Sequence, residues 1–177
     1  MFEAVKNLLR NRALKKYSST LESSMLPLES IRSAAALIDV REASFDNCKE
    51  ALNAFFRERG IKGEIFFLDL RKIDSEERLL TSIKNTILRK DLSWYGRPSK
   101  EKIALLSGLE PDLFLCLTDS EEFVCEFAAS CIRARFKVGR KQFPGKAFDM
   151  VISPPAGTSL SQKDIFLNMK EFLLKIR

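Results

Sequence analysis

The chain contains no histidine. That absence removes the Ser-His and Cys-His nucleophilic pairs and any imidazole general base. Chemistry here would rest on carboxylates, lysine, tyrosine, cysteine or a substrate-bound metal. Glycine is scarce, at seven residues, and none falls in REASFDN, the segment after the first predicted strand. Neither GxGxxG nor GxxxxGK[ST] occurs, so a conventional dinucleotide or P-loop nucleotide site is not expected. The four cysteines, Cys48, Cys116, Cys125 and Cys131, form no CxxC pair. Without closely spaced cysteines or any histidine a zinc site is not expected. Each cysteine falls inside a predicted element, which points to buried free thiols in a reducing compartment. Long apolar runs are missing as well, and nothing approaches the roughly 20 residues that span a bilayer. MFEAVKNLLRNRALKKY is basic, with no apolar centre and no small-residue cleavage site, so it does not read as a secretory signal. A cytoplasmic protein with no metal and no cofactor is the expectation.

What is present is 177 residues, 45% hydrophobic and 31% charged, enough for one domain with a real core. The net charge of +6 is unevenly placed. Lys6, Arg10, Arg12, Lys15 and Lys16 crowd the first sixteen residues against Glu3 alone. Arg133, Arg135, Lys137, Arg140, Lys141 and Lys146 fall between 131 and 146 with no acid among them. The remainder is mildly acidic, so two basic segments sit on an acidic body and could meet an anionic partner.

Periodicity predicts the elements. Residues 2–16 form a basic helix with Phe2, Val5, Leu9 and Ala13 on one face. SSTLESSMLPLES is a polar connector, which suggests a division into residues 1–30 and a single Rossmann-like α/β domain over 31–177. AAALIDV (34–40) and EIFFLDL (64–70) read as strands covered on both faces. Between them Ser44 opens a helix that Gly60 closes. Ser75, Glu76 and Glu77 predict a further helix, with Leu79, Leu80, Ile83 and Ile87 on its spacing and an end near Arg89. A short helix spans 100–107. Residues 112–117 and 135–139 are strands flanking a helix expected to start near Asp119, a last strand covers 147–152, and a terminal helix runs over 162–175. The fold class is therefore α/β: a three-layer sandwich with a mostly parallel sheet of four or five strands, preceded by the basic helix.

In parallel sheets ligands meet the carboxyl ends of the strands. Those ends carry Asp39-Val40-Arg41-Glu42, Asp69-Leu70-Arg71-Lys72 and Thr118-Asp119-Ser120-Glu121. Asp39, Asp69 and Asp119 are the candidate catalytic carboxylates, able to act as acid and base. Arg41, Arg71, Ser120, Arg140 and Lys141 are candidates for binding an anion. The plainer alternative is that the acids cap helices and the arginines are solvated or paired. Gly139 lets the backbone turn after its strand, beside Arg140 and Lys141. Trp94 and Tyr95, followed by Arg97, either stack a base or sugar or anchor their loop in the core.

KDLSWYGRPS, PDLFLCLTDSEEFVCEFAASCIRARFKVGR and FDMVI resemble a group of short, uncharacterised α/β proteins of the Bacteroidota. The likeness covers roughly residues 34–152 and carries no activity. The segment 112–139 is similar, more loosely, to the acceptor-side domain of heptosyltransferase-type glycosyltransferases. The chain departs from them in lacking a glycine turn after its first strand and the length for a nucleotide-sugar domain. Three functions follow. A non-enzymatic module would bind a ligand or partner through the basic helix and the strand-end rim. A small enzyme would use the three aspartates on an anionic substrate held by Arg41, Arg71 and Arg140. An RNA- or ribosome-associated protein would use both basic segments. The first helix could also pack on a second copy or lie on a membrane surface.

Overall fold

Strand β1, Ser33–Asp39, lies at the centre of a sheet, and its sequence SAAALID explains the position. Every residue from Ala34 to Asp39 is buried. Ala34, Ala36 and Ile38 face one layer, while Ala35 and Leu37 face the other. Small alanines on both faces let helices approach closely from either side. The computed structural model describes residues 1–72 and 83–177. In it β1 pairs in parallel with β2 (Lys62–Asp69) and with β4 (Leu113–Cys116). β3 (Thr86–Leu88) lies outside β2, and β5 (Phe136–Gly139) and β6 (Met150–Val151) follow β4. The order is β3-β2-β1-β4-β5-β6, parallel throughout.

Helices α2 (Phe45–Arg59) and α5 (Gln162–Leu173) cover one face of the sheet. Helices α1 (Phe2–Tyr17), α3 (Lys100–Ser107) and α4 (Phe123–Cys131) cover the other. Crossover handedness explains the division. The β1-α2-β2 and β4-α4-β5 units run outward in opposite directions, so two right-handed crossovers place α2 and α4 on opposite faces. All four cysteines are buried free thiols, as expected. Burial pushes Cys48 and Cys116 up to about 12.

Three expectations are corrected. The helix predicted from Ser75 to Arg89 lies partly outside the described residues, and its end is not helical: Thr86–Leu88 is strand β3, which brings the sheet to six strands among the described residues. Ile87 is buried there, but Ile83 is 84% exposed. The Ile83 and Lys84 carbonyls accept the Lys102 ammonium of α3 at 3.1 and 2.9 Å. Thr86 and Ile87 are β-branched, and the edge of β2 recruits them. The helix expected near Asp119 begins at Phe123. The Thr118 hydroxyl accepts the Ser120 N–H at 3.1 Å and the Ser120 hydroxyl accepts the Glu122 N–H at 3.3 Å, and these two local turns hold the chain out of the helix. Third, Gly139 is the last residue of β5 and does not have a positive φ. Its missing side chain makes room for Phe148, since a Cβ there would sit 2.3 Å from that ring. Gly139→Ala should cost about 1–3 kcal/mol by overpacking. Urea denaturation of the variant, alone and with Phe148→Leu, checks this. A double variant no more stable than the single one would refute the clash.

Lys137 points into the core from β5. Its Nζ donates to the Ala129 carbonyl at 2.7 Å, one of the carbonyls that the end of α4 leaves unpaired. Burial lowers its pKa from 10.5 to about 8, against the opposing pull of Asp149. Below about pH 8 the amine is protonated in the folded and unfolded chain alike. Between that value and 10.5 the folded chain sheds a proton the unfolded chain keeps, so stability rises with pH through this window. Relative to Lys137→Met, the native sequence should gain roughly 1–3 kcal/mol between pH 8 and 10. Unfolding free energies at the two pH values measure the difference, and an unchanged gap would mean the amine keeps its proton.

Candidate functional site

The strand order places the carboxyl ends of β2, β1 and β4 side by side, and with them Asp69, Asp39 and Asp119. Pairing between β1 and β4 ends at Leu37 opposite Cys116, while β1 stays paired to β2 through Asp39. Connections leave this point in opposite directions, and a crevice opens where doubly wound sheets take their ligands. Here the chain itself fills it. Gln162, the first residue of α5 and fully buried, inserts its amide beside β1. Its Oε1 accepts the Asp39 N–H at 2.6 Å and its Nε2 donates to the Asp39 carbonyl at 2.9 Å. The side chain thus continues the sheet where a neighbouring strand has ended.

Charged residues close the rest. Asp39 accepts the Arg41 guanidinium at 3.0 Å (Nε to Oδ1) and 2.7 Å (Nη2 to Oδ2). The same arginine donates to Glu122 at 2.7 Å, and Ser120 donates to Glu122 at 3.0 Å. The bond to Asp39, partly opposed by burial, holds the Arg41 pKa above its ordinary value. Asp69 and Arg71 repeat the pattern one strand away, at 2.9 and 3.0 Å. Both Asp-x-Arg sequences fold back on themselves, since each aspartate also accepts the backbone N–H of its own arginine.

Arg140, after β5, is almost fully buried. It donates to Glu42 at 2.7 Å and to the Leu117 carbonyl at 3.2 Å, binds the Leu160 carbonyl, and lies 3.5 Å from Asp119. Glu42 in turn accepts the Gln162 N–H at 3.0 Å, which places a carboxylate at the positive end of α5. Asp119 itself is exposed and caps no helix. Lys141 is bound to exposed Glu121, whose pKa it lowers. The three aspartates therefore end neighbouring strands, each beside an arginine. Among the described residues no three Cys, Asp or Glu side chains form a group able to hold a cation.

The second basic segment does not form a patch, because β5 runs through it. Arg133 and Arg135 precede the strand and pair with Glu110 and Asp112 at the amino end of the sheet. Lys137 is buried, and Arg140 and Lys141 lie at the carboxyl end. Linear charge counting had joined residues that the strand holds apart.

Open space lies on the α1 face. A groove of about 1010 Å³ runs between α1 (Asn7, Asn11) and the loop carrying Lys141, Phe143 and Lys146. A second, of about 430 Å³, is lined by Lys6, Leu70, Arg89, Trp94 and the Glu122 that Arg41 binds, so it borders the strand-end network. Arg10 lines both, donating to the Tyr95 carbonyl at 2.8 Å with its guanidinium 5.0 Å above the Phe123 ring. Asp39, Asp69 and Asp119 line neither groove. Trp94 is not a core anchor: it is 56% exposed and meets Tyr95 edge to face at 5.6 Å, which is no flat platform. Tyr95 and Leu92 pack against the core instead. The expected apolar face of α1 is corrected as well. Of Phe2, Val5, Leu9 and Ala13 only Ala13 is buried, and the helix rests on Leu9, Arg10, Ala13, Leu14 and Tyr17.

Sequence reasoning missed Gln162 and Glu122, and named Glu42 and Arg10 only as parts of a strand end and a basic helix. Ser161 and Asp164 form a capping box that starts α5, a signal that places Gln162 at a helix start but not its reach to β1.

Together these features define a parallel α/β protein whose strand-end crevice is filled by its own side chains. The chain matches the model of a family of unknown function, DUF6913, over residues 5–173 and belongs to that family. No curated protein matches it.

Proposed function

We propose that this chain is a non-enzymatic binding module: a Rossmann-like α/β body, residues 31–177, carrying residues 1–30 as a binding element, at work in the cytoplasm. The filled crevice carries this reading. An anionic substrate would have to break the Asp39–Arg41 or Asp69–Arg71 pair, or displace Gln162 from β1, before meeting a free charge. Such exchange is resisted because Asp39 and Asp69 are buried carboxylates that would lose their partners, and because the Gln162 amide pairs a buried backbone. The open surface lies on the α1 side, where apolar and basic residues are exposed together. Buried reduced thiols fit a reducing compartment.

The small-enzyme alternative makes a different prediction for a thermal-shift screen against nucleotides, sugar phosphates and carboxylates. The binding-module reading expects no compound to raise Tm by more than about 1–2 °C at millimolar concentration. A rise of several degrees that Arg41→Ala or Arg71→Ala abolishes would establish a strand-end substrate site and overturn the reading.

A further inference from the structure

Resting on the reading of α1 as a binding element, we propose that its outward ridge, together with Trp94, docks on an anionic lipid surface. Leu9, Arg10, Ala13, Leu14 and Tyr17 set the inward side of α1, and the ridge is read from the residues that stay exposed around the rest of the helix. Met1, Val5, Leu8, Arg12 and Lys15 recur at intervals of four and three along it, with Lys16 beside them, and all are exposed. The ridge is apolar over its first two turns and cationic over its last two. At its flank Phe2 lies against Trp94 with ring centroids 5.1 Å apart, and both rings are more than half exposed. Two large aromatics left in contact with each other and with water form the kind of apolar patch that marks a docking site. Lys6, Arg10 and Arg89 line the groove that Trp94 borders, against one acid there, Glu122, so cations outnumber acids beside the apolar residues.

This arrangement selects among occupants. Negatively charged headgroups over hydrocarbon match a cationic ridge with apolar side chains and a tryptophan at the boundary. A second copy would bring Arg12, Lys15 and Lys16 against a helix whose one acid, Glu3, already pairs with Lys6 at 3.8 Å. Nucleic acid would use the cations and leave Met1, Phe2, Val5 and Leu8 in water. The apolar stretch is short, so the lipid contact needs both components. Each basic residue near an anionic leaflet adds a modest increment that salt removes. Among the described residues no helix is long and apolar enough to cross a membrane.

Trp94 is the only tryptophan, so its fluorescence reports the contact directly. With vesicles of phosphatidylglycerol and phosphatidylcholine at low salt, its emission should shift to the blue and the full-length protein should sediment with the lipid. Pure phosphatidylcholine vesicles should leave it unchanged, and about 0.5 M salt should reverse the binding. Leu8→Ser and the pair Arg12→Glu, Lys15→Glu should each weaken binding about tenfold or more with Tm unaltered, since all three positions are solvent-exposed. No shift and no co-sedimentation with anionic vesicles would overturn the proposal. So would equal binding to neutral vesicles, or a dimer in sedimentation velocity that the Leu8→Ser change dissolves. A tight RNA complex in anisotropy without vesicle binding would overturn it in favour of nucleic acid. Vesicle binding does not bear on the strand-end screen, so failure here leaves the binding-module reading to stand or fall on that screen.

Discussion

Replacing Arg140 with methionine is expected to cost about 3–5 kcal/mol of folding stability, the range for breaking a buried ion pair by removing one partner. The side chain is 5% exposed and joins three separate parts of the chain: Glu42 after β1, the Leu117 carbonyl after β4 and the Leu160 carbonyl before α5. Methionine would fill much of the volume but leave Glu42 near Asp119 without the intervening cation and two carbonyls without donors. Lysine should rescue only part of the loss, because one ammonium cannot reproduce a planar fork spread over several acceptors. Arg41 provides the contrast: its side chain is 34% exposed, so Arg41→Ala should cost clearly less. Urea denaturation of the three variants makes the comparison. A methionine variant within about 1 kcal/mol of the native chain would show that water reaches this site and that the crevice is not sealed.

The second large effect is expected at Gln162. Its amide supplies both partners of one residue's backbone, the N–H and the carbonyl of Asp39. Gln162→Leu keeps the approximate volume and removes both hydrogen bonds, leaving two buried backbone groups unpaired beside the end of β4. The expected cost is about 2–4 kcal/mol. Amide exchange at Asp39 should accelerate by more than it does at Leu37, which the neighbouring strands still hold. Equal exchange at both positions would indicate that the variant unfolds globally and that the crevice has no local stability of its own. Gln162→Glu should be no better. It keeps the acceptor but brings a carboxylate beside Glu42, whose own Oε2 receives the Gln162 N–H at 3.0 Å.

Much of the fold was legible because burial on two faces leaves a strong local trace. SAAALID and EIFFLDL are apolar almost throughout, as strands between helical layers must be, and Ser99 and Ser161 cap the helices expected after them. The elements misread were those whose state is set from outside. Thr86–Leu88 has too few residues to declare itself and becomes a strand because β2 has an edge to offer. The face of α1 was misassigned because its apolar residues are spread around the helix. Contact with α4, through Tyr17 against Phe127 at 5.8 Å and Arg10 over Phe123, decides which ones turn inward.

The candidate site divides in the same way. That aspartate and arginine stand at the ends of neighbouring strands could be read directly. Their pairing at the Asp-x-Arg sequences is also local, since the two side chains are two residues apart. The fate of the crevice was not local: Gln162 lies 123 positions from Asp39 and nothing in the intervening sequence signals the bond. The missing histidines, the absent phosphate loop and the uneven charge were fixed by composition alone, and they narrowed the chemistry before any fold was known. Tertiary structure decided which charges are spent and which are free. β5 separates the cations of its own segment between two ends of the sheet, and the docking of α1 leaves its apolar and basic ridge in water, because charge becomes a surface only after strands and helices have assigned each residue a side.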